Sequence, residues 1–143
     1  MAAVDGHGTI LAYSDSSGGS YTDVALVTSI DGGGASRGTA DVTNLSSTAR
    51  EFILNGFHEA GELSLDVVYD PCEDTQEFFS TQITSADPTL KYYRITFPVP
   101  SGTTATYICA GWVTGFSPSV EFEGALTCSI TIQLTGAATF TTT

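Results

Sequence analysis

Two stretches of the chain alternate apolar and polar residues with a period of two. From Glu62 to Asp70 (ELSLDVVYD), Leu63, Leu65, Val67 and Tyr69 fall on one side, with Glu62, Ser64, Asp66 and Val68 on the other. Within Ser119 to Leu134, the residues Leu126, Cys128, Ile130, Ile132 and Leu134 share a face opposite Thr127, Ser129, Thr131 and Gln133. This is the signature of strands with one face packed and one face wet. Shorter β-rich runs, Gly8 to Tyr13 and Tyr21 to Ile30, flank SDSSGGS, a turn composition that predicts a first hairpin. Lys91 to Val99 and Thr104 to Gly115 read as further strands, closed by PSG and GFSPS turns.

One segment breaks the strand pattern. Asp70 has the chemistry of a helix cap, Pro71 suits the first helical position, and Glu73 stands three residues after the cap. Cys72, Phe79 and Ile83 fall on one stripe with Phe78 beside them, and Asp87-Pro88 ends the run, so a helix is expected at about 71–84. Residues from about 31 to 45 show glycines and no period, which predicts a flexible loop. Many strands and one helix, with no repeat or linker, predict a single domain over 1–143. The fold class is mainly β: two packed antiparallel sheets, a β-sandwich or open barrel, with one flanking α-helix.

Composition sharpens this picture. The chain of 143 residues has a formal charge of −12, with sixteen acidic residues against four basic ones, Arg37, Arg50, Lys91 and Arg94. Gripping phosphates needs clustered Lys and Arg, so the composition argues against a phosphate-gripping surface. The N-terminus lacks a basic start and a long apolar core, and is expected to be neither a signal peptide nor a membrane anchor. Cys72, Cys109 and Cys128 are odd in number and widely spaced, which fits free buried thiols better than a disulfide framework.

The candidate chemistry is thin. The run SIDGGGASRGTADVT has Gly33 and Gly38 at the spacing of a phosphate loop, but Thr39 stands where that loop needs Lys, and no helix begins there. His7 and His58 lack a second imidazole or Cys at a ligand spacing, which leaves no zinc motif. Ser, His and Asp occur without a nucleophile elbow. Glu121 and Glu123 flank Phe122 and, on a strand, point the same way, which suits a charged rim better than an acid-base pair. Trp112 follows Cys109 by three residues, which does not fit the immunoglobulin pattern, and is read as a sandwich-core residue. No catalytic residue, cofactor or metal is expected.

The succession of segments resembles a known family. The elements are VTSI at Val27 to Ile30, the glycine loop, DVT at Asp41 to Thr43, Arg50-Glu51-Phe52, and Gly56-Phe57. Tyr69-Asp70 and a last strand ending in Leu134-Thr135-Gly136 complete the series, from about Gly8 to Gly136. It is similar to the tail tube, or major tail, proteins of long, non-contractile-tailed bacteriophages. The resemblance implies a structural virion protein, made in the host cytoplasm, whose subunits join into typically six-membered rings with a continuous inner β-barrel. Stacked rings would form a tube that conducts DNA to the host. The implied partners are further copies of the chain, a tape measure protein in the lumen, tail terminator and tail-tip proteins, and transiting double-stranded DNA that is not specifically bound.

On that reading the acidity has a use, because DNA carries a negative charge about every 1.7 Å of its axis and an acidic wall would not hold it. Glu62, Asp66, Glu121, Glu123, Ser129, Thr131 and Gln133 are then the lumen-facing candidates. Asp31, Gly32, Gly33, Gly34, Arg37, Asp41 and Asn44 are candidates for an arm that orders on a neighbouring ring, with Arg37 pairing a carboxylate there. The competing expectations are a related ring-forming tail component, or an immunoglobulin-like module that decorates a virion and binds through an exposed aromatic patch at residues such as Tyr92, Tyr93 or Tyr107.

Overall fold

The computed structural model describes residues 6–16, 18–32, 36–59, 61–86, 88–98 and 105–142. Its strands are β1 (Ile10–Ser14), β2 (Thr22–Asp23), β3 (Val27–Gly32), β4 (Ser36–Asp41), β5 (Phe52–Glu59) and β6 (Glu62–Val68). Helix α1 (Asp74–Thr84) follows, then β7 (Lys91–Phe97), β8 (Ala105–Ser119) and β9 (Thr127–Thr142). The mainly β class with one helix is therefore as expected. Seven strands form one antiparallel sheet in the order β2-β1-β7-β8-β9-β6-β3, and β4 with β5 makes a separate two-stranded sheet.

The spine is the β8–β9 ladder, which runs the whole length of both strands. Two register shifts bend the ladder: Ile108 and Ala110 pair with Thr139 and Thr135, which puts the extra residues in β9, and Val113 and Gly115 pair with Ile132 and Thr131, which puts the extra residue in β8. The core joins Leu11, Tyr93, Ile95 and Cys109 to Leu63, Leu65, Val67, Cys128, Ile130 and Ile132. The two packed layers are thus the two halves of a single sheet turned on itself. Gly111 sits where β8 and β9 crowd: an added Cβ would lie 2.6 Å from the Gln133 carbonyl oxygen and 2.9 Å from Ile132 Cγ2.

The alternation read from β6 and β9 holds. Leu63, Leu65, Val67, Cys128, Ile130, Ile132 and Leu134 are buried, while Glu62, Ser64, Asp66, Thr127, Ser129 and Gln133 are exposed. Boundaries differ elsewhere for local reasons. The expected single strand over Tyr21 to Ile30 is broken at Ala25-Leu26, where Leu26 has φ 63. Ala25 is held there by the helix: its N–H donates to Thr75 Oγ1 at 3.2 Å and its carbonyl accepts from Gln76 Nε2 at 3.0 Å.

Helix α1 begins at Asp74 with Glu73 as its cap residue, later than the expected start at Pro71. Asp70 turns the chain first: its carbonyl accepts the Glu73 N–H at 3.0 Å and its Oδ1 accepts the Cys72 N–H at 3.0 Å. Cys72 therefore lies off the helix and exposed, contrary to the buried thiol expected, whereas Cys109 and Cys128 are buried. Burial pushes the Cys109 thiol up to about 11 and raises Cys128 as well. Ile83, also assigned to the packing stripe, is 42% exposed. The helix is held by aromatic rings instead: Phe78 stacks on Tyr13 at 3.8 Å, and Phe79 lies 6.3 Å from Tyr93.

Gln76 is the polar knot of this packing and is fully buried. Its Oε1 accepts the Asp70 N–H at 2.9 Å, and its Nε2 donates to the carbonyls of Ala25 at 3.0 Å and Val68 at 2.9 Å. Buried backbone groups that lose their partner keep the full desolvation cost. Gln76→Leu is expected to lower the unfolding free energy of the unassembled protein by about 2–4 kcal/mol in urea titration; a loss within about 0.5 kcal/mol, the range of neutral surface changes, would show that the knot is dispensable.

Candidate assembly surfaces

The wet face of the long strands is continuous across four of them. Register places Glu62 opposite Gln133, Ser64 opposite Thr131, and Asp66 opposite Ser129. On the far side of β6, Ser29 pairs with Asp66 and Asp31 with Ser64. On the far side of β9, Trp112 pairs with Gln133, Ser117 with Ser129 and Ser119 with Thr127. Opposed residues of an antiparallel pair project to the same side, so these side chains make one surface. It carries Asp31, Glu62 and Asp66 and no Lys or Arg, since the four basic residues of the chain lie on β4, β7 and the β4–β5 connection.

Five of the seven lumen candidates, Glu62, Asp66, Ser129, Thr131 and Gln133, meet on this surface. Ser129 Oγ donates to Asp66 Oδ1 at 2.9 Å, and Gln133 Nε2 donates to the Gly61 carbonyl at 3.2 Å. Thr131 is half-buried and the other four are exposed. Glu121 and Glu123 do not join them. The strand expected from Ser119 onward is interrupted, and both acids lie in the connection between Ser119 and Thr127, with Phe122 fully exposed between them. The shared direction argued for them required a strand that is not there.

Trp112 also departs from expectation. It is 41% exposed, because its position opposite Gln133 puts it on the wet face and not in the core. Of the tyrosines named for an exposed aromatic patch, Tyr93 is wholly buried, and burial raises its phenol well above the ordinary value.

The expected loop at about 31–45 is largely a strand. Residues 36–41 form β4, which pairs with β5 through Thr39 to Leu54, Ala40 to Ile53 and Asp41 to Phe52. No period was visible because the hairpin has no core side: Phe52, Ile53 and Leu54 are 56%, 55% and 58% exposed, and Leu45 at its tip is fully exposed. Gly33 and Gly34 lie outside the described residues. Gly32 turns the chain from β3 toward the hairpin at φ 100, where an added Cβ would fall 2.1 Å from the Glu62 carbonyl oxygen. Arg37 donates through Nη2 to the Gly56 carbonyl at 3.3 Å. No carboxylate pairs with it among the described side chains. The other cations are engaged within the chain: Arg50 with Asp41, Lys91 with Asp15, and Arg94 stacked 4.3 Å over the Tyr21 ring.

The hairpin tip has its own hydrogen bonds. Asp41 Oδ1 accepts the Thr43 N–H at 2.9 Å, Thr43 Oγ1 accepts the Glu51 N–H at 2.8 Å, and Asn44 Oδ1 accepts the Ser46 N–H at 2.9 Å. Thr43 first, then Arg50, holds the Asp41 carboxyl below its ordinary value. A carboxyl lowered in the folded state stabilises the tip above its ordinary pKa, and that contribution is lost as pH falls through the lowered one. In an NMR titration, Asp41 is expected to have its midpoint below 3.8 and to move upward in Thr43→Val; a midpoint at or above that value would contradict the hydrogen bonding described.

Among the described residues, no group of three His, Cys, Asp or Glu is arranged to hold a metal ion, and no helix is long and apolar enough to cross a membrane.

Comparison with known proteins gives the same architecture a context. No curated protein sequence matches the chain. Among solved structures, the chain superimposes on a protein in the tail of an empty gene transfer agent particle refined with C6 symmetry, with TM-score 0.75 and 18% identity over 97% of this chain and 99% of that one. A protein of the anti-feeding prophage baseplate gives TM-score 0.76 at 9% identity, covering 99% and 96%. The SPP1 tail tube gives 0.66 at 11%, covering 96% and 78%. At these identities the likeness is one of fold. The family described as lambda phage tail tube protein matches residues 4–141, nearly the whole sequence, and the chain belongs to that family, as a structural component of a phage tail tube.

Proposed function

We propose that copies of this chain close into rings, typically of six, and that the rings stack into the wall of a non-contractile tail with the wet face of β3, β6, β9 and β8 turned to the lumen. The observation that carries this reading is the charge segregation: a four-strand surface with three acids and no cation, backed by a wholly apolar opposite face. Such a wall repels a DNA duplex and leaves it free to slide. Ser, Thr and Gln between the acids keep the wall hydrated without offering phosphate-binding cations. The C6 symmetry of the gene transfer agent tail supports six subunits.

Ring closure and stacking are both heterologous contacts, each joining two different surfaces of the same chain. The chain has spare surfaces of that kind. The strands β2 and β3 end the large sheet, and the hairpin pairs only with itself among the described residues. Open strand edges are an aggregation hazard in a monomer and become pairing sites in an assembly. The hairpin is the arm that meets a neighbouring ring, and its apolar residues are covered there. During assembly the lumen holds a tape measure protein, and terminator and tip proteins close the two ends.

The test places a label on the proposed inner wall. In a Cys72→Ser background, Ser64→Cys is coupled to biotin and the concentrated protein is imaged by negative stain with streptavidin. The expected result is streptavidin on the unassembled protein and none along the hollow tubes. Streptavidin decorating tube walls along their length would put the acidic face outside, and a dispersed monomer at every concentration would remove the ring reading.

A further inference from the structure

The connection that joins β8 to β9 ends in bare apolar side chains. Phe122 is fully exposed and Val120 is 76% exposed. Glu121 and Glu123 flank Phe122, and the tip from Ser119 to Thr127 holds no Lys or Arg. An exposed ring is unfavourable in water unless a partner covers it. The two acids narrow the choice of partner, because a chain with sixteen acidic residues against four basic ones presents a surface that mostly repels them.

One surface of the chain has the opposite character. Lys91 and Arg94 are half-buried, whereas Arg37 on β4 and Arg50 just before β5 are exposed, so the accessible cations belong to the hairpin. Thr39 opposite Leu54 and Asp41 opposite Phe52 project to one side of it. On that side Phe52 and Leu54 are both more than half exposed, and the Arg50 guanidinium lies 5.8 Å from the centre of the Phe52 ring. Asp41 pairs with Arg50, whose guanidinium keeps further N–H donors for a second carboxylate. Arg37 stands farther along β4, where it donates to the Gly56 carbonyl and pairs with no carboxylate among the described side chains. An apolar ring between acids thus matches an apolar face beside cations. Position allows the match between copies. Gly32 pairs with Leu63 and Glu62 with Gln133, so the hairpin joins the large sheet at the start of β6. Val68 and Ser119 both pair with Thr127, which puts the β8–β9 tip at the other end of β6, about 20 Å away by the rise of a strand. Phe122 is fully exposed, so its own hairpin does not cover it.

We propose that the β8–β9 tip of one copy docks on the β4–β5 hairpin of a second copy, burying Phe122 against Phe52 and Leu54 and setting Glu121 and Glu123 against Arg50 and Arg37. The proposal rests on the arm reading given above and names the surface that the arm meets. It makes the contact directional, since tip and hairpin leave opposite ends of β6, and so it propagates without saturating. The buried ring supplies the attraction, and the rim charges set which surfaces meet.

Two proteins in a Cys72→Ser background test it, one carrying Leu54→Cys and the other Phe122→Cys, so that the link between the two sites forms only between copies. Mixed, concentrated and oxidised, they are expected to give a disulfide heterodimer at least ten times more abundant than either homodimer. Hydrogen exchange on the protein without these substitutions supplies an independent reading: amides of 52–54 and of 120–126 should both slow at least tenfold on assembly. If 52–54 slows while 120–126 keeps its rate, the arm docks elsewhere and the tip is wrong although the arm reading stands. If both slow but the heterodimer does not exceed the homodimers, the two surfaces are covered by different partners and the proposal is again overturned. If 52–54 keeps its rate in assembled tubes, or the protein never assembles, the arm reading fails and the proposal with it.

Discussion

The β8–β9 ladder is the constraint on which the rest of the molecule depends. A strand pair of that length projects side chains alternately to two sides, so one side can be made apolar and the other wet throughout. The apolar side is folded over by the bends in β8 and β9 and filled by Tyr93, Phe79 and the aliphatics of β6 and β9. The wet side then has no freedom: every position opposite a core residue faces out, and in this sequence those positions are acids, hydroxyls and amides with Trp112 among them. A one-residue slip between β6 and β9 would exchange Glu62 and Asp66 with Leu63 and Leu65, so the packing that stabilises the core also fixes the charge pattern of the wall.

The same architecture leaves the chain unfinished as a monomer. The hairpin exposes Phe52, Ile53 and Leu54 together, the cleft beside β3 exposes Phe140, and the large sheet ends in unpaired edges among the described residues. Local hydrogen bonds at Asp41, Thr43 and Asn44 shape the hairpin tip without hiding its apolar residues. This combination suits a protein whose stable state is an assembly, with high net negative charge of −12 per copy opposing association until specific surfaces meet.

Much of this was legible in the residue pattern. The alternation in β6 and β9 is a direct consequence of one buried face, so Leu63, Leu65, Ile130 and Ile132 were placed in the core from sequence alone. The hairpin was not, because a strand with no buried face has no period: Phe52-Ile53-Leu54 reads as a bare apolar run, and the glycines before it suggested a loop. The role of Gln76 was invisible for a different reason. Its partners are backbone groups of Ala25, Val68 and Asp70, brought together only by folding, and a backbone carbonyl has no letter in the sequence. Asp70 and Pro71 were sound punctuation assigned to the wrong structure, a turn that precedes the helix instead of its first turn. Glu121 and Glu123 were misplaced because a strand was extended through a connection whose Phe122 points to solvent.

The central claim is that the acid-bearing wall faces inward in an assembly of this chain. A cryo-electron microscopy reconstruction of the assembled tube tests it most directly. The account predicts density in which Glu62, Asp66, Ser129 and Gln133 of every subunit border the central channel, with Lys91 and Arg94 away from it. A channel bordered by β7 and its cations, with the Glu62 and Asp66 face on the outer surface, would contradict it.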